Sequence, residues 1–279
     1  MPDTDETGTK ANRWHTPYLL LLPGIAALIF FFIIPLFSIA KLSMQDGGFS
    51  NYSTVLHDNQ TVIIRTFKFS ALATLGCLLI GYPLAYFIAM RGGRFKNFLL
   101  ALVVLPFFVT YLVRTLSWKI LLYDGGPVVD LLHTLHVLPQ GQGLLGTDFA
   151  VIFALMYNYL PFMVLPIYVS LEKLDRRLLE AAGDLYGSPQ RAFRKVTLRL
   201  SLPGIFAGTL LTFIPATGDF VNAELLGSDK QVMLGNIIEK NFGKEFFRPQ
   251  LSALSFMLMA LILVGVLIYA KVLGTEDLA

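Results

Sequence analysis

Charge is scarce in this chain of 279 residues. Only 15% are Asp, Glu, Lys or Arg, against roughly 25% in ordinary soluble domains, while 55% are hydrophobic. Cysteine is nearly absent, and the single Cys77 excludes an internal disulfide framework. The four histidines, His15, His57, His133 and His136, all fall outside the long apolar stretches. No imidazole is therefore available as an intramembrane base for proteolysis. The His133-x-x-His136 pair has no third ligand nearby and reads as structural or surface rather than metal-binding. The chain has neither a Gly-x-Ser-x-Gly elbow nor a Walker A loop, so any ATP is hydrolysed by a different polypeptide. A net charge of +3 is too small to point to nucleic acid as a partner.

What the chain does have is length in its apolar runs. Six stretches, about 18–40, 69–90, 98–122, 149–171, 202–221 and 250–271, each approach the ~20 residues that cross ~30 Å of hydrocarbon as a helix. The first is about twice the length of a signal-peptide core and ends in no small-residue cleavage site, so it is expected to be a retained span. Lys and Arg set the orientation. The segments before the first span, between the second and third, between the fourth and fifth, and after the sixth hold 13, and the other three loops hold 7. Both termini are thus expected in the cytoplasm. Arg114 and Lys119 lie within the third span, in its outer half, where long side chains can snorkel.

The loop over 172–201 differs from the others. Leu171, Leu174, Leu178, Ala181, Ala182 and Leu185 share one helical face, with Glu172, Asp175, Arg176, Arg177 and Glu180 largely on the rest. Tyr186-Gly187 interrupts the pattern, and Ser188-Pro189 supplies an N-cap and N1 pair for a second short helix. By pattern alone this is either a docking element or an amphipathic helix resting on lipid. Pro35, Pro83, Pro106, Pro161, Pro166 and Pro215 fall in the spans. Broken helices in lipid are tolerated where they face protein or a water-filled path, so these prolines favour a transport path over simple kinks. Asp219 and Glu224 mark the outer end of the fifth span, just after Pro215 and Gly218. A helix C-terminus carries partial negative charge, and with two carboxylates it suits a cation; the alternative places Asp219 in interfacial water. Tyr157, Tyr159 and Phe162, with Phe107, Phe108, Tyr111 and Trp118, offer cation–π faces, or pack as an aromatic belt.

Leu179-Glu180-Ala181-Ala182, the Gly near 187 and Leu202-Pro203-Gly204 resemble the EAA loop of permease subunits from binding-protein-dependent ABC importers. The resemblance spans nearly the whole chain. Ala73-Thr74-Leu75-Gly76-Cys77, Gly81-Tyr82-Pro83-Leu84-Ala85, Leu160-Pro161-Phe162-Met163, Leu171-Glu172-Lys173-Leu174-Asp175 and Leu234-Gly235-Asn236-Ile237-Ile238 are similar to the spermidine/putrescine permeases. Two departures stand out. Tyr186 occupies the position where the loop pattern has Gly, with Gly187 following, and Val196-Thr197-Leu198-Arg199 replaces the usual Ile-x-Leu-Pro end. Sister permeases for iron, thiamine and opines share much of this framework.

The resemblance implies an all-α integral membrane protein of the MetI-like, type I importer class. Six transmembrane helices occupy 18–271, with a cytoplasmic EAA coupling helix between helices 4 and 5 and short cytoplasmic tails over 1–17 and 272–279. It implies coupling residues Glu180, Ala181, Ala182, Gly187, Ser188 and Pro189. Asp219, Glu224, Tyr157, Tyr159, Phe108 and Trp118 are the candidates for a substrate pathway. Arg114, which repels a cation, is expected to face a carboxylate, for instance on the binding protein, rather than the path. The implied partners are a second permease, two ATPase subunits that carry ATP and Mg, and an extracytoplasmic binding protein, in a bacterial plasma membrane. No cofactor or metal and no catalytic residue is expected on this chain. An ion-coupled secondary transporter would need an ionisable residue deep in a span and usually an inverted repeat; the sequence places no acidic residue deep in any span and shows no clear repeat. A structural scaffold leaves the EAA loop unexplained.

Overall fold

The computed structural model describes residues 16–139, 141–186, 188–245 and 249–272. Among them every regular element is helical. Four helices are long and apolar enough to cross a membrane: Leu21–Ser43, Gln60–Arg91, Asp148–Glu172 and Pro249–Lys271. Two bent pairs pass the same test of length and composition together, Gly93–Phe108 with Tyr111–Thr134 at 92°, and Pro189–Leu200 with Leu202–Thr217 at 60°, and counting each pair as one span gives six. Numbered in chain order, these are spans 1 to 6. The tail expected over 1–17 lies outside the described residues except for Thr16 and Pro17, which already belong to the first helix, Thr16–Leu28. Of the tail expected over 272–279, only Val272 is described, as the last residue of a helix.

Proline does less to the spans than its count suggests. Pro83, Pro161 and Pro166 sit inside unbroken helices, because one lost backbone bond kinks a helix without ending it when neighbouring helices hold it. In span 1, Pro35 follows a π-helical turn, Ile29–Ile33, in a helix that continues to Ser43. The sharp break is at Pro106. A 3-10 turn, Leu105–Phe108, gives way to extended backbone at Val109 and Thr110 before the helix restarts at Tyr111.

Spans 2, 4 and 5 form the core. Cys77, Ala85, Met163, Val164, Ile167, Leu171 and Ile205 make one buried cluster, and Phe69, Ala73, Val151, Leu155 and Ala216 belong to a second, nearer the starts of spans 2 and 4 and the end of span 5. Lipid tails are as apolar as Leu, so close packing rather than hydrophobic transfer has to hold membrane helices together. Small residues supply the contact. A Cβ on Gly204 would lie 2.6 Å from the Pro166 carbonyl oxygen, and one on Gly208 3.0 Å from that of Met163. The Cys77 thiol donates to the Met156 carbonyl at 3.3 Å, tying span 2 to span 4. By contrast, Phe30, Phe31 and Phe37 of span 1 and Leu263, Leu267 and Ile268 of span 6 are exposed, as residues facing lipid or another chain are.

Candidate functional site

Two regions concentrate polar chemistry, one at each end of span 5. The first is built on the end of helix Leu202–Thr217. The helix stops at Gly218, and Asp219 starts a short helix, Val221–Leu226. Asp219 Oδ1 accepts the Asn222 backbone N–H at 2.9 Å, satisfying one of the free donors that open any helix. Asp219 Oδ2 accepts three more hydrogen bonds: from Tyr111 Oη of span 3, from Tyr159 Oη of span 4 at 3.0 Å, and from Asn222 Nδ2 at 3.3 Å. Asn222 extends the network. Its Oδ1 accepts from Asn158 Nδ2 at 3.1 Å and Thr115 Oγ1 at 3.2 Å, and its Nδ2 also donates to Tyr111 Oη at 2.5 Å.

Asp219 is therefore not in interfacial water. It is only 6% exposed, and its two oxygens hold four donors. A buried carboxylate is costly unless it is hydrogen-bonded; here neutral donors from spans 3 and 4 and from the short helix after span 5 supply that compensation. Thr115, Asn158 and Asn222 were not legible as site residues from composition. The signal that could have found them is an Asn in the middle of an apolar helix, since polar groups in a span are rare and face protein. Arg114 adds a further feature. It is 8% exposed, with its Cζ 5.5 Å from the Phe107 ring centre and 5.7 Å from that of Tyr111. Its Nε and Nη1 are buried without a hydrogen-bond partner. Among the described residues no carboxylate pairs with Arg114, and the Asp219 oxygens are taken up by Tyr111, Tyr159 and Asn222.

The remaining sequence candidates do not converge on Asp219. Glu224 pairs with Lys240 at 3.0 Å and accepts from Asn236 Nδ2 at 3.2 Å. Trp118 makes edge-to-face contacts with Tyr157 at 5.2 Å and Phe153 at 4.7 Å, a separate aromatic group. Phe108 is 85% exposed, just before the break in span 3, and packs on nothing in the hub. Tyr159 alone of these aromatics touches Asp219. The Leu234-Gly235-Asn236 motif explains itself physically. Asn236 Nδ2 donates to the Phe220 carbonyl at 2.7 Å, and the Leu234 N–H donates to Thr66 Oγ1 at 2.9 Å. A Cβ on Gly235 would lie 2.9 Å from the carbonyl oxygens of Gly218 and Asp219. The motif thus presses helix Leu234–Glu245 against the break after span 5.

The second region is the loop between spans 4 and 5. Asp175 Oδ1 accepts the Arg177 N–H at 2.9 Å and starts helix Arg176–Tyr186. Glu180 and Ala181 are exposed, as are Leu178 and Leu185, the latter at 76%. Gly187 and the side chain of Ala182 lie outside the described residues. Ser188 caps the next helix as its sequence predicts: its Oγ accepts the Arg191 N–H at 3.4 Å, and Pro189 occupies the first turn. A π-helical turn, Phe193–Thr197, follows. The Phe193 ring meets Tyr82 at 5.9 Å and Tyr86 at 5.6 Å, both edge-to-face, and Tyr82 Oη bonds Ser201 Oγ at 3.0 Å. The loop is thereby joined to the C-terminal end of span 2. Lys96 at the start of span 3 pairs with Glu172 at the end of span 4.

Residues 81–273 match the family model of the binding-protein-dependent transport system inner membrane component. Over 255 residues the chain is 37% identical to the spermidine/putrescine transport system permease protein PotB of Haemophilus influenzae, covering 88% of this chain and 89% of that one. The PotB of Escherichia coli K12 is 35% identical over 80% of this chain and 85% of its own length. The structure of a bacterial alginate ABC transporter, in complex with an alginate pentasaccharide-bound periplasmic protein, superimposes with a TM-score of 0.72 over 94% of both chains at 17% identity, a likeness of fold. The six spans, the all-helical core and this extended similarity agree: the chain belongs to the inner membrane components of binding-protein-dependent transport systems.

Proposed function

We propose that this chain is a permease subunit of an ATP-driven importer that carries polyamines across the plasma membrane. The reading rests on one observation, the 37% identity to a spermidine/putrescine permease along nearly the full length of both chains. Aromatic rings and carboxylates near the outer end of span 5 are chemically suited to a flexible cation with an apolar stem. In this reading the permease does no covalent chemistry. It pairs with a second permease, and each docks an ATPase subunit through the loop helix Arg176–Tyr186, where Glu180, Ala181 and Ala182, with Gly187, Ser188 and Pro189, form the contact. ATP and Mg belong to that ATPase. A binding protein delivers substrate to the outer loops, and nucleotide-driven closure opens the pathway outward. Tyr159 and Asp219 stand beside the pathway as its frame, with Glu224, Tyr157, Trp118 and Phe108 as the further candidates for contact.

The test is uptake of labelled spermidine and putrescine by cells with and without this chain, together with co-purification of an ATPase. Loss of polyamine uptake on deletion, restored by the chain, is the expected result. Uptake that is unchanged by deletion, in cells with no second polyamine system, rejects the substrate; a complex that brings no ATPase rejects the coupling.

A further inference from the structure

We propose that the cavity between the break after span 5, helix Leu234–Glu245 and span 6 is an outer amine subsite, in which Glu239 holds an ammonium group against the rings of Phe220 and Phe242. The proposal rests on the polyamine reading above and adds a place where the substrate is first held. The cavity has a volume of about 450 Å³, within the range of about 300–1,000 Å³ common for small-molecule sites. Its lining is Gly218, Phe220, Gly235, Ile238, Glu239, Phe242 and Leu258.

Each part suits the chemistry of an alkyl polyamine. Glu239 is exposed and has no ion-pair partner among the described residues, whereas the other acid of this region, Glu224, is already engaged by Lys240. The Lys240 ammonium, next in sequence to Glu239, is thus turned to Glu224, and among the described residues no Lys or Arg lines the cavity. Phe220 and Phe242 are each partly exposed, and a ring face beside a carboxylate attracts an ammonium more than either group alone. Ile238 and Leu258 supply an apolar wall for methylene groups. The two glycines make the floor. Gly235 sits so close to the Gly218 and Asp219 carbonyls that any side chain there would lift the helix, so the cavity abuts the backbone of the Asp219 hub. An exposed carboxylate binds weakly, which suits a site that must release its ligand inward, since conduction requires binding weak enough to leave.

The experiment uses the assembled importer in vesicles of phosphatidylcholine and phosphatidylglycerol, which carry no headgroup primary amine. Ile238→Cys in a Cys77→Ala background places a thiol in the cavity wall, and its labelling by a neutral maleimide is read on this chain. Spermidine is expected to slow the labelling. Adding Glu239→Gln should raise the half-protecting spermidine concentration about two- to fivefold, and Phe220→Leu should raise it by less. Protection that is absent, or unchanged by Glu239→Gln, in an importer that still takes up spermidine overturns the subsite and leaves the function standing. An intact importer that takes up no polyamine overturns the function and the subsite with it.

Discussion

At the scale of single residues, Asp219 and Glu224 look alike in the sequence, five positions apart at the end of one apolar stretch. The structure gives them different work. Asp219 is a buried acceptor for four donors, while Glu224 is half exposed and paired with Lys240. The energetic consequences differ accordingly. An amide at 219 has one acceptor oxygen where the carboxylate had two, and its NH₂ faces groups that donate. A buried donor left unpaired costs about 1–3 kcal/mol. Asp219→Asn should therefore lower the thermal stability of the purified protein by several degrees, and Asp219→Ala by more. Glu224→Gln removes an exposed ion pair worth about 0–1 kcal/mol and should leave the melting temperature nearly unchanged. Thermal unfolding in detergent checks both; equal shifts for Asp219→Asn and Glu224→Gln would mean that the hub does not hold the three spans together. Arg114 presents the opposite problem, a buried cation with two unmatched donors between two rings. Lys lacks the planar fork and stacking face of Arg, so Arg114→Lys is not a conservative change here.

At the scale of elements, the sequence made the spans and the loop helix legible because both signals are periodic or continuous: apolar runs of bilayer length, and an apolar face at helical spacing. The Ser188-Pro189 cap was legible for the same reason, as a local rule with a local cause. The bend in span 3 and the depth of Asp219 were not. Six prolines carry the same local signal, yet Pro83, Pro161 and Pro166 stay inside continuous helices while Pro106 precedes extended backbone at Val109, because tertiary packing decides which kink becomes a break. Likewise, whether an Asp at the end of an apolar stretch meets water depends on Tyr111 and Tyr159, 108 and 60 residues away. The loop helix illustrates the gain from structure. Its apolar Leu178 and Leu185 are uncovered, and the segment after it is held to span 2 by Phe193 between Tyr82 and Tyr86. Aromatic pairs of this kind contribute about 0.5–1.5 kcal/mol each beyond area burial, and a π-helical turn at the same point often marks a functional site. If the loop takes the ATPase on its exposed face and passes motion through Phe193, the two faces separate by mutation. Leu185→Asp should abolish co-purification of the ATPase at normal membrane levels of the chain. Phe193→Ala should keep the ATPase bound but reduce transport per ATP hydrolysed. Loss of ATPase binding in Phe193→Ala, or full transport in both variants at equal expression, would contradict this division.

At the scale of the whole molecule, the arrangement of the six spans bears on orientation. The two regions of polar chemistry lie at opposite ends of span 5, the loop helix at its start and the Asp219 hub at its end. They must therefore face opposite sides of the membrane. The bias of Lys and Arg, 13 against 7 in alternate segments, predicts that the loop helix is cytoplasmic, since basic residues near span ends are retained there. The same alternation places Gly92 with the loop helix, at the turn between Gln60–Arg91 and the following 3-10 turn. Gly126, at the start of helix Pro127–Thr134, falls on the other side. A Cβ at Gly126 would crowd the carbonyl of Tyr123, and one at Gly92 that of Ile88, so neither position accepts a cysteine freely. The neighbouring Arg94 and Leu131 are better sites: both are exposed, Arg94 in the turn after Gln60–Arg91 and Leu131 on the short helix Pro127–Thr134 that follows Gly126 at the end of span 3. In a Cys77→Ala background, Leu131→Cys should react with a membrane-impermeant thiol reagent in intact cells with an opened outer barrier. Arg94→Cys should react only after the plasma membrane is permeabilised. Reaction of Arg94→Cys in intact cells would invert the chain and move the loop helix to the outer face. An ATPase could not reach it there, and the cavity at Glu239 would face the cytoplasm instead of the incoming substrate.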